Sequence, residues 1–271
     1  MAVVSGNSNI SWTDATWNPT TGCTQVSPGC ANCYAKTLTE RFHGPGSFDT
    51  VVLHPERLRL PMSWKKPRRV FVNSMSDLFH EKVSPAFVDE VFRVMWQTPQ
   101  HTYQILTKRP ERMHEYLMTF PSLNPDDSRP DDQAFIEAVW GGLPLPNVWL
   151  GVSAENQHWL DERVPILLDT PAALRFVSVE PMLGPVDARG YLPSPIPTLR
   201  GVDRDSAGLD WVIVGGESGS KRRPFDLAWA RDLKAQCDAA GVAYFFKQAG
   251  GAKPGMASGD PELDAAKAWP R

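Results

Sequence analysis

Apolar positions along the chain gather into short runs, each closed by a polar cluster. The runs occupy 70–72, 103–106, 148–152, 176–179, 211–214 and 243–246, and they are β-branched or aromatic almost throughout. Runs of this length with no polar alternation predict strands covered on both faces, as in a parallel sheet. An earlier strand is predicted within 11–18. Helical periodicity lies between most runs. It covers 31–42; 85–97, with Phe87, Val88, Val91, Phe92 and Met95 on one face and Ser84 as N-cap; 110–119, with proline in the first turn; 156–168; and 226–240, stopped by Gly241.

Strand followed by helix, repeated along the chain, predicts an α/β fold with mostly parallel strands. The expected form is a partial or complete (β/α) TIM-like barrel, a single domain over residues 1–271, with an open doubly wound sheet as the competing arrangement. No GxGxxG follows the first strand, so nothing supports a dinucleotide-binding reading. Segments of about 44–68, 121–147 and 187–209 are rich in Pro, Gly and Asp and read as insertions or long loops, with disorder expected at 121–133. The tail from 250 to 271 reads as loosely ordered. There is no internal repeat.

Composition changes this picture little. A chain of 271 residues, 42% hydrophobic and 22% charged, suits one large core, and about 250 residues is a usual length for a barrel. The net charge of −3 carries no global signature of nucleic-acid binding. Local basic clusters exist at Lys65, Lys66, Arg68 and Arg69; at Lys108, Arg109 and Arg112; and at Lys221, Arg222 and Arg223, with Trp64, Phe71 and Phe225 nearby. They suit phosphate contacts, or equally a solvated face balancing 31 acids. No apolar run approaches the roughly 20 residues of a membrane span, and the amino terminus lacks a signal-peptide pattern, so no membrane association and a cytoplasmic location are expected.

In parallel α/β folds, ligands gather at the carboxyl ends of strands. Here those ends carry Thr21, Gly22 and cysteines; Asn73, Ser74, Ser76 and Asp77; Thr107, Lys108 and Arg109; Ser153, Glu155 and Asn156; Ser178 and Glu180; Glu217 and Ser218; and Lys247 and Gln248. Each alone reads as readily as a turn or cap residue. Together they predict a functional mouth.

Of four cysteines, Cys23, Cys30 and Cys33 fall within eleven residues, spaced Cys-x6-Cys-x2-Cys, with Pro28-Gly29 turning the chain between them. A secreted disulfide framework would spread them more evenly. Three thiolates suit a [4Fe–4S] cluster with one iron left open, or zinc completed by His43 or water; unligated thiols are the third reading. Cys237 follows a buried helical pattern and reads as a small apolar residue.

The stretch Ser11-Trp12-Thr13-Asp14-Ala15-Thr16-Trp17-Asn18-Pro19, running into the cysteines and Tyr34-Ala35, resembles the phage-associated three-Cys-motif family, a domain of unknown function. So do Val177-Ser178-Val179-Glu180-Pro181-Met182-Leu183-Gly184-Pro185, Val214-Gly215-Gly216-Glu217-Ser218-Gly219 and Phe245-Phe246-Lys247-Gln248. The resemblance spans roughly residues 8 to 250. That family resembles radical S-adenosylmethionine (SAM) enzymes, which use a partial β/α barrel and a three-cysteine [4Fe–4S] cluster. Their usual spacing is Cys-x3-Cys-x2-Cys with an aromatic before the last cysteine; here the first gap is six and Asn32 holds that place, with Tyr34 following.

The resemblance implies that Cys23, Cys30 and Cys33 ligate the cluster and that SAM occupies the open iron. Asn73, Ser74, Ser76 and Asp77 would serve the SAM amino group and ribose. Ser153, Glu155 and Asn156 would serve its ribose and carboxylate. Glu180, Glu217 and Lys247 would face substrate. It further implies an electron donor, a phage- or operon-encoded partner protein, and modification or repair of DNA or a nucleotide. A non-catalytic nucleic-acid- or partner-binding protein with a structural zinc or iron–sulfur centre is the alternative, and a cluster-dependent DNA repair protein that does not use SAM a third.

Overall fold

The computed structural model describes residues 8–119, 135, 144–193 and 208–270. The predicted disorder at 121–133 and most of the insertions at 121–147 and 187–209 lie outside them. Among the described residues nine strands are formed: β1 (Ala15–Trp17), β2 (Thr20–Thr21), β3 (Val52–Leu53), β4 (Arg69–Val72), β5 (Thr102–Thr107), β6 (Val148–Ser153), β7 (Leu174–Val179), β8 (Trp211–Gly215) and β9 (Ala243–Gln248). Seven of them make one sheet in the order β1-β4-β5-β6-β7-β8-β9. The β1–β4, β4–β5, β7–β8 and β8–β9 pairs are parallel. The order is linear, with β1 and β9 at its ends, so the α/β fold is the partial form of the (β/α) barrel.

The helices are α1 (Tyr34–His43), α2 (Pro85–Gln97), α3 (Pro110–Thr119), α4 (Gln157–Asp169), α5 (Leu227–Ala240) and α6 (Pro261–Ala265). Cα packing divides the chain into two compact units. One comprises Met1–Val26, Cys33–Leu150 and Asp169–Leu174, and the other Ser27–Asn32, Gly151–Leu168 and Arg175–Arg271.

In the first unit the strand runs are buried as their composition demands. Val70, Val72, Tyr103 and Ile105 have no exposed surface. Each such side chain contributes roughly 1.5–3 kcal/mol on burial. Trp17 is also fully buried, and its indole N–H donates to the Arg57 carbonyl at 2.9 Å. Helix α2 begins where Ser84 Oγ accepts from Phe87 N, and it buries Phe87, Val88, Val91, Phe92 and Met95. The 44–68 insertion contributes β3, which pairs antiparallel with β2 through Thr20↔Leu53 and Thr21↔Val52.

In the second unit every residue of β8 is buried. Helix α5 is capped by Asp226, whose carboxylate accepts from Ala228 N at 2.8 Å, and it ends at Gly241 in the left-handed conformation. The tail runs along the edge of the sheet. Asp260 caps α6, and the following residues run beside β9: Phe246 N donates to Ala266 O at 2.8 Å and Ala268 N to Tyr244 O at 3.0 Å. Trp269 closes on Phe245, with ring centroids 4.9 Å apart. β9 ends the sheet, and the tail supplies partners for its outer backbone groups. No helix among the described residues is long and apolar enough to cross a membrane.

Candidate functional site

Two polar residues directly after β1 organise the first unit's strand ends. Asn18 is fully buried, and its Oδ1 accepts from Ser74 Oγ at 3.1 Å and Met75 N at 3.0 Å. Thr20 Oγ1 accepts from Asn73 Nδ2 at 2.7 Å, while Ser76 Oγ donates to Thr20 O at 2.8 Å. Asn73 takes φ of 61°, a left-handed conformation asparagine tolerates better than most residues. Thus Asn73, Ser74 and Ser76 sit together after β4, with side chains joined to the loop that leads into the cysteines. Gly22 opens that loop at φ 87°, where a Cβ would lie 2.0 Å from Thr50 O, so no other residue fits.

Asp77 is 5% exposed, and its carboxylate takes four bonds: from Phe79 N at 3.0 Å, Thr107 Oγ1 at 2.7 Å, Lys108 N at 3.1 Å and Arg109 Nη1 at 3.2 Å. Arg109 in turn reaches Cys23 Sγ at 3.5 Å. Burial works against the Arg109 charge, but Asp77, Cys23 and Glu81 together outweigh it and raise its pKa. His80 is buried beside this group. Its Nδ1 accepts from Lys82 N at 3.1 Å, which leaves Nε2–H to donate to Thr24 Oγ1 at 2.9 Å. Burial first, and the Arg109 charge second, lower the His80 pKa and favour this neutral form.

Cys23 and Cys33 both pack against the cluster of Ala35, Phe48 and Met75. Cys33 is the N-cap of α1, so the helix starts at Tyr34 and not at 31 as the periodicity predicts. The Tyr34 hydroxyl donates to Ser74 O. His43 stands at the far end of α1, about 15 Å from Cys33 at 1.5 Å per residue, which removes it as a ligand to an ion held there.

The segment Ser27–Asn32, which carries Cys30, belongs to the second unit, and two carboxylates hold it. Glu155 has no exposed surface; it accepts from Gly29 N at 2.9 Å and from Arg163 Nη1 at 3.2 Å. Arg163 is 2% exposed, donates to Ser153 O at 2.7 Å, and lies 4.1 Å over the Trp159 ring. Glu217 accepts from Asn32 Nδ2 at 3.0 Å and Arg223 N at 2.7 Å, and pairs with the Arg223 guanidinium, which also donates to Pro28 O at 3.0 Å. Burial alone would raise the Glu217 pKa, but the Arg223 and Asn32 hydrogen bonds and the Arg223 charge lower it. Asn156 Oδ1 accepts from Trp159 N at 3.2 Å, a helix-capping bond. Ser153 is 3% exposed. Glu180 Oε1 pairs with Lys247 Nζ, both side chains roughly four-fifths buried.

The sequence-predicted residues therefore fall into two groups. In the first unit Asn73, Ser74, Ser76 and Asp77 adjoin the turn to Cys23. In the second, Ser153, Glu155, Asn156 and Glu217 surround or brace the Cys30 segment, and Glu180 meets Lys247. Sequence reasoning did not single out Thr24, His80 or Arg163 for a site role; Arg109 stood only among the strand-end residues and its basic cluster, and Arg223 only in its basic cluster. Their signal in the sequence is only charge or polarity next to a predicted strand end or inside a helix. Among the basic clusters, Arg69 forms an ion pair with Asp14 at 2.9 Å and Arg112 donates to the Phe79 and Val83 carbonyls, whereas Lys65, Lys66, Lys221 and Arg222 are exposed. Cys237 is fully buried and its thiol is pushed up to about 12 by burial, in keeping with an apolar role.

No disulfide joins the cysteines among the described residues, and Cys23, Cys30 and Cys33 are each half-buried. Among the described residues no trio of His, Cys, Asp or Glu is arranged around a single ion. The donor set itself, three thiols on one eleven-residue segment, fits a cubane cluster, whose ligands bind separate irons and stand further apart than those of one ion.

No curated protein matches the chain. Among solved structures it is similar to a spore photoproduct lyase complexed with dinucleoside spore photoproduct. The TM-score is 0.51 at 11% identity, over 92% of this chain and 80% of that one. At that identity the likeness is one of fold. The family model described as "Protein of unknown function (DUF5131)" matches residues 7–266, and the chain belongs to that family.

Proposed function

We propose that this protein is an iron–sulfur enzyme of the radical SAM type that acts on a nucleic acid or nucleotide. One observation carries the reading: three half-buried thiols follow the first strand of a partial β/α barrel, and no other cysteine shares their segment. The similar fold of a protein that holds a dinucleoside photoproduct supports the substrate class.

Cys23, Cys30 and Cys33 would hold a [4Fe–4S] cluster. When bound, such a cluster would pass one electron from an external donor to the sulfonium of SAM, breaking an S–C bond to leave methionine and a carbon radical able to take a hydrogen atom from substrate. The chain's own residues do the rest. Gly22, Asn73, Ser74 and Ser76 fix the turn into Cys23; Glu155 and Glu217 fix the turn through Cys30. Asp77 orients Arg109 beside Cys23. The strand-end residues Asn73, Ser74, Ser153 and Asn156 would serve the SAM ribose and amino acid portion. Glu180 and Lys247, paired and partly open, would meet substrate.

Anaerobic reconstitution with iron and sulfide tests the reading. The protein is expected to take up about four irons, turn brown, and release 5′-deoxyadenosine from SAM when dithionite supplies the electron. Cys30→Ala is expected to lose the chromophore. A brown, four-iron Cys30→Ala protein would overturn the ligand assignment; one zinc per chain with no iron uptake would overturn the cluster; an intact cluster that leaves SAM uncleaved would overturn the reaction.

A further inference from the structure

Arg109 is 8% exposed, yet every donor of its guanidinium is engaged. Nε meets Glu81 Oε2 at 3.3 Å. Nη1 meets Asp77 Oδ2 at 3.2 Å and Cys23 Sγ at 3.5 Å. Nη2 meets Thr24 O at 3.3 Å and Thr24 Oγ1 at 2.9 Å. Five N–H groups thus face five acceptors, the full capacity of the side chain. Two successive residues, Cys23 and Thr24, receive three of those bonds. His80 secures Thr24 from the other side, and Asp77, itself anchored by Thr107 and two backbone amides, secures the guanidinium. An exposed arginine would not be held this way, since ordering its long side chain costs rotamer entropy.

We propose that Arg109 is a positioning residue: it holds Cys23 Sγ in its ligating attitude and raises the reduction potential of the centre bound there. This rests on the iron–sulfur reading above. A hydrogen bond and a positive charge at a ligating sulfur both favour the state with more negative charge, which is the reduced cluster. Asp77 and Glu81 temper the effect of the charge and leave that of the hydrogen bond intact. Lysine cannot replace the fork. Its single ammonium has three donors on one atom and cannot span Asp77, Cys23 and both Thr24 oxygens.

The test compares reconstituted wild type, Arg109→Lys, Arg109→Gln and the double variant Arg109→Gln/Asp77→Asn. Readouts are iron content, midpoint potential by EPR-monitored titration, and folding by circular dichroism. The double variant removes the buried carboxylate that Arg109→Gln alone would strand. The midpoint is expected to move negative in both glutamine variants, with Arg109→Lys between them and wild type. Iron lost from the glutamine variants but kept by Arg109→Lys also supports positioning. Full iron with an unchanged midpoint in both glutamine variants overturns the inference while leaving the cluster reading intact. Iron uptake without SAM cleavage defeats the reaction only, and the midpoint shift still decides for Arg109. A wild type that takes up no iron overturns both.

Discussion

The Glu155–Arg163 pair offers the sharpest test of how the Cys30 segment is held. Glu155 is fully buried and Arg163 is 2% exposed, with their charged atoms 3.2 Å apart. Glu155→Ala removes the carboxylate that the guanidinium faces and the acceptor for Gly29 N. Breaking one side of a buried pair costs about 3–5 kcal/mol, because the surviving charge stays out of water. The Gly29 bond does not add in full, since both losses act through one group. Against a total stability of about 5–15 kcal/mol this is a large fraction.

Urea unfolding should show a lowered midpoint with unchanged slope. Arg163→Met should cost a similar amount. The double variant Glu155→Ala/Arg163→Met should cost clearly less than the sum, since the second change removes the stranded charge. Glu155→Gln should be milder than Glu155→Ala, because the amide oxygen still accepts from Gly29 N. A Glu155→Ala protein within about 1 kcal/mol of wild type, or strict additivity in the double variant, would refute the bracing role.

Gly29→Ala places a Cβ 2.9 Å from the Glu155 carboxyl carbon, and a pinned, buried Glu155 has no room to yield. The expected loss is about 1–3 kcal/mol, read by urea unfolding, with weakened iron retention alongside. Asp89 is 7% exposed, takes a bond from the Tyr116 hydroxyl at 2.7 Å, and has its pKa raised by burial. A carboxyl raised above its unfolded value favours the fold at low pH and loses that contribution as pH climbs through the folded value. Asp89→Asn keeps the acceptor for Tyr116 and should raise the melting temperature at pH 7. The gain should shrink toward pH 3, and a gain independent of pH would contradict the burial argument.

Much of the fold is legible in local pattern. Helices α2 and α3 begin and end where periodicity, Ser84 and Pro110 place them, because capping and amphipathicity are properties of adjacent residues. The strand cores of β4 through β9 fall on the apolar runs for the same reason. The place of the tail is not legible locally: residues 261–269 have little apolar periodicity of their own, and their long-range backbone pairing with β9 leaves no mark in local composition. The start of α1 was misread by three residues because Asn32 is drawn out of the helix by Glu217, 185 positions away in sequence.

The sequence by itself determined the α/β class, the parallel strands and the three-cysteine segment, since each is written in residues close together in the chain. Only the tertiary structure decided which partners the polar residues near the strand ends take. Glu155 and Glu217, which composition could not distinguish from cofactor- or substrate-facing acids, accept from Gly29 and Asn32 and hold a backbone turn. Arg109, one of 28 lysines and arginines, has a donor that meets a cysteine sulfur of the segment. A side chain's charge is fixed by its identity, but its partner is set by which distant strand ends the fold brings beside it.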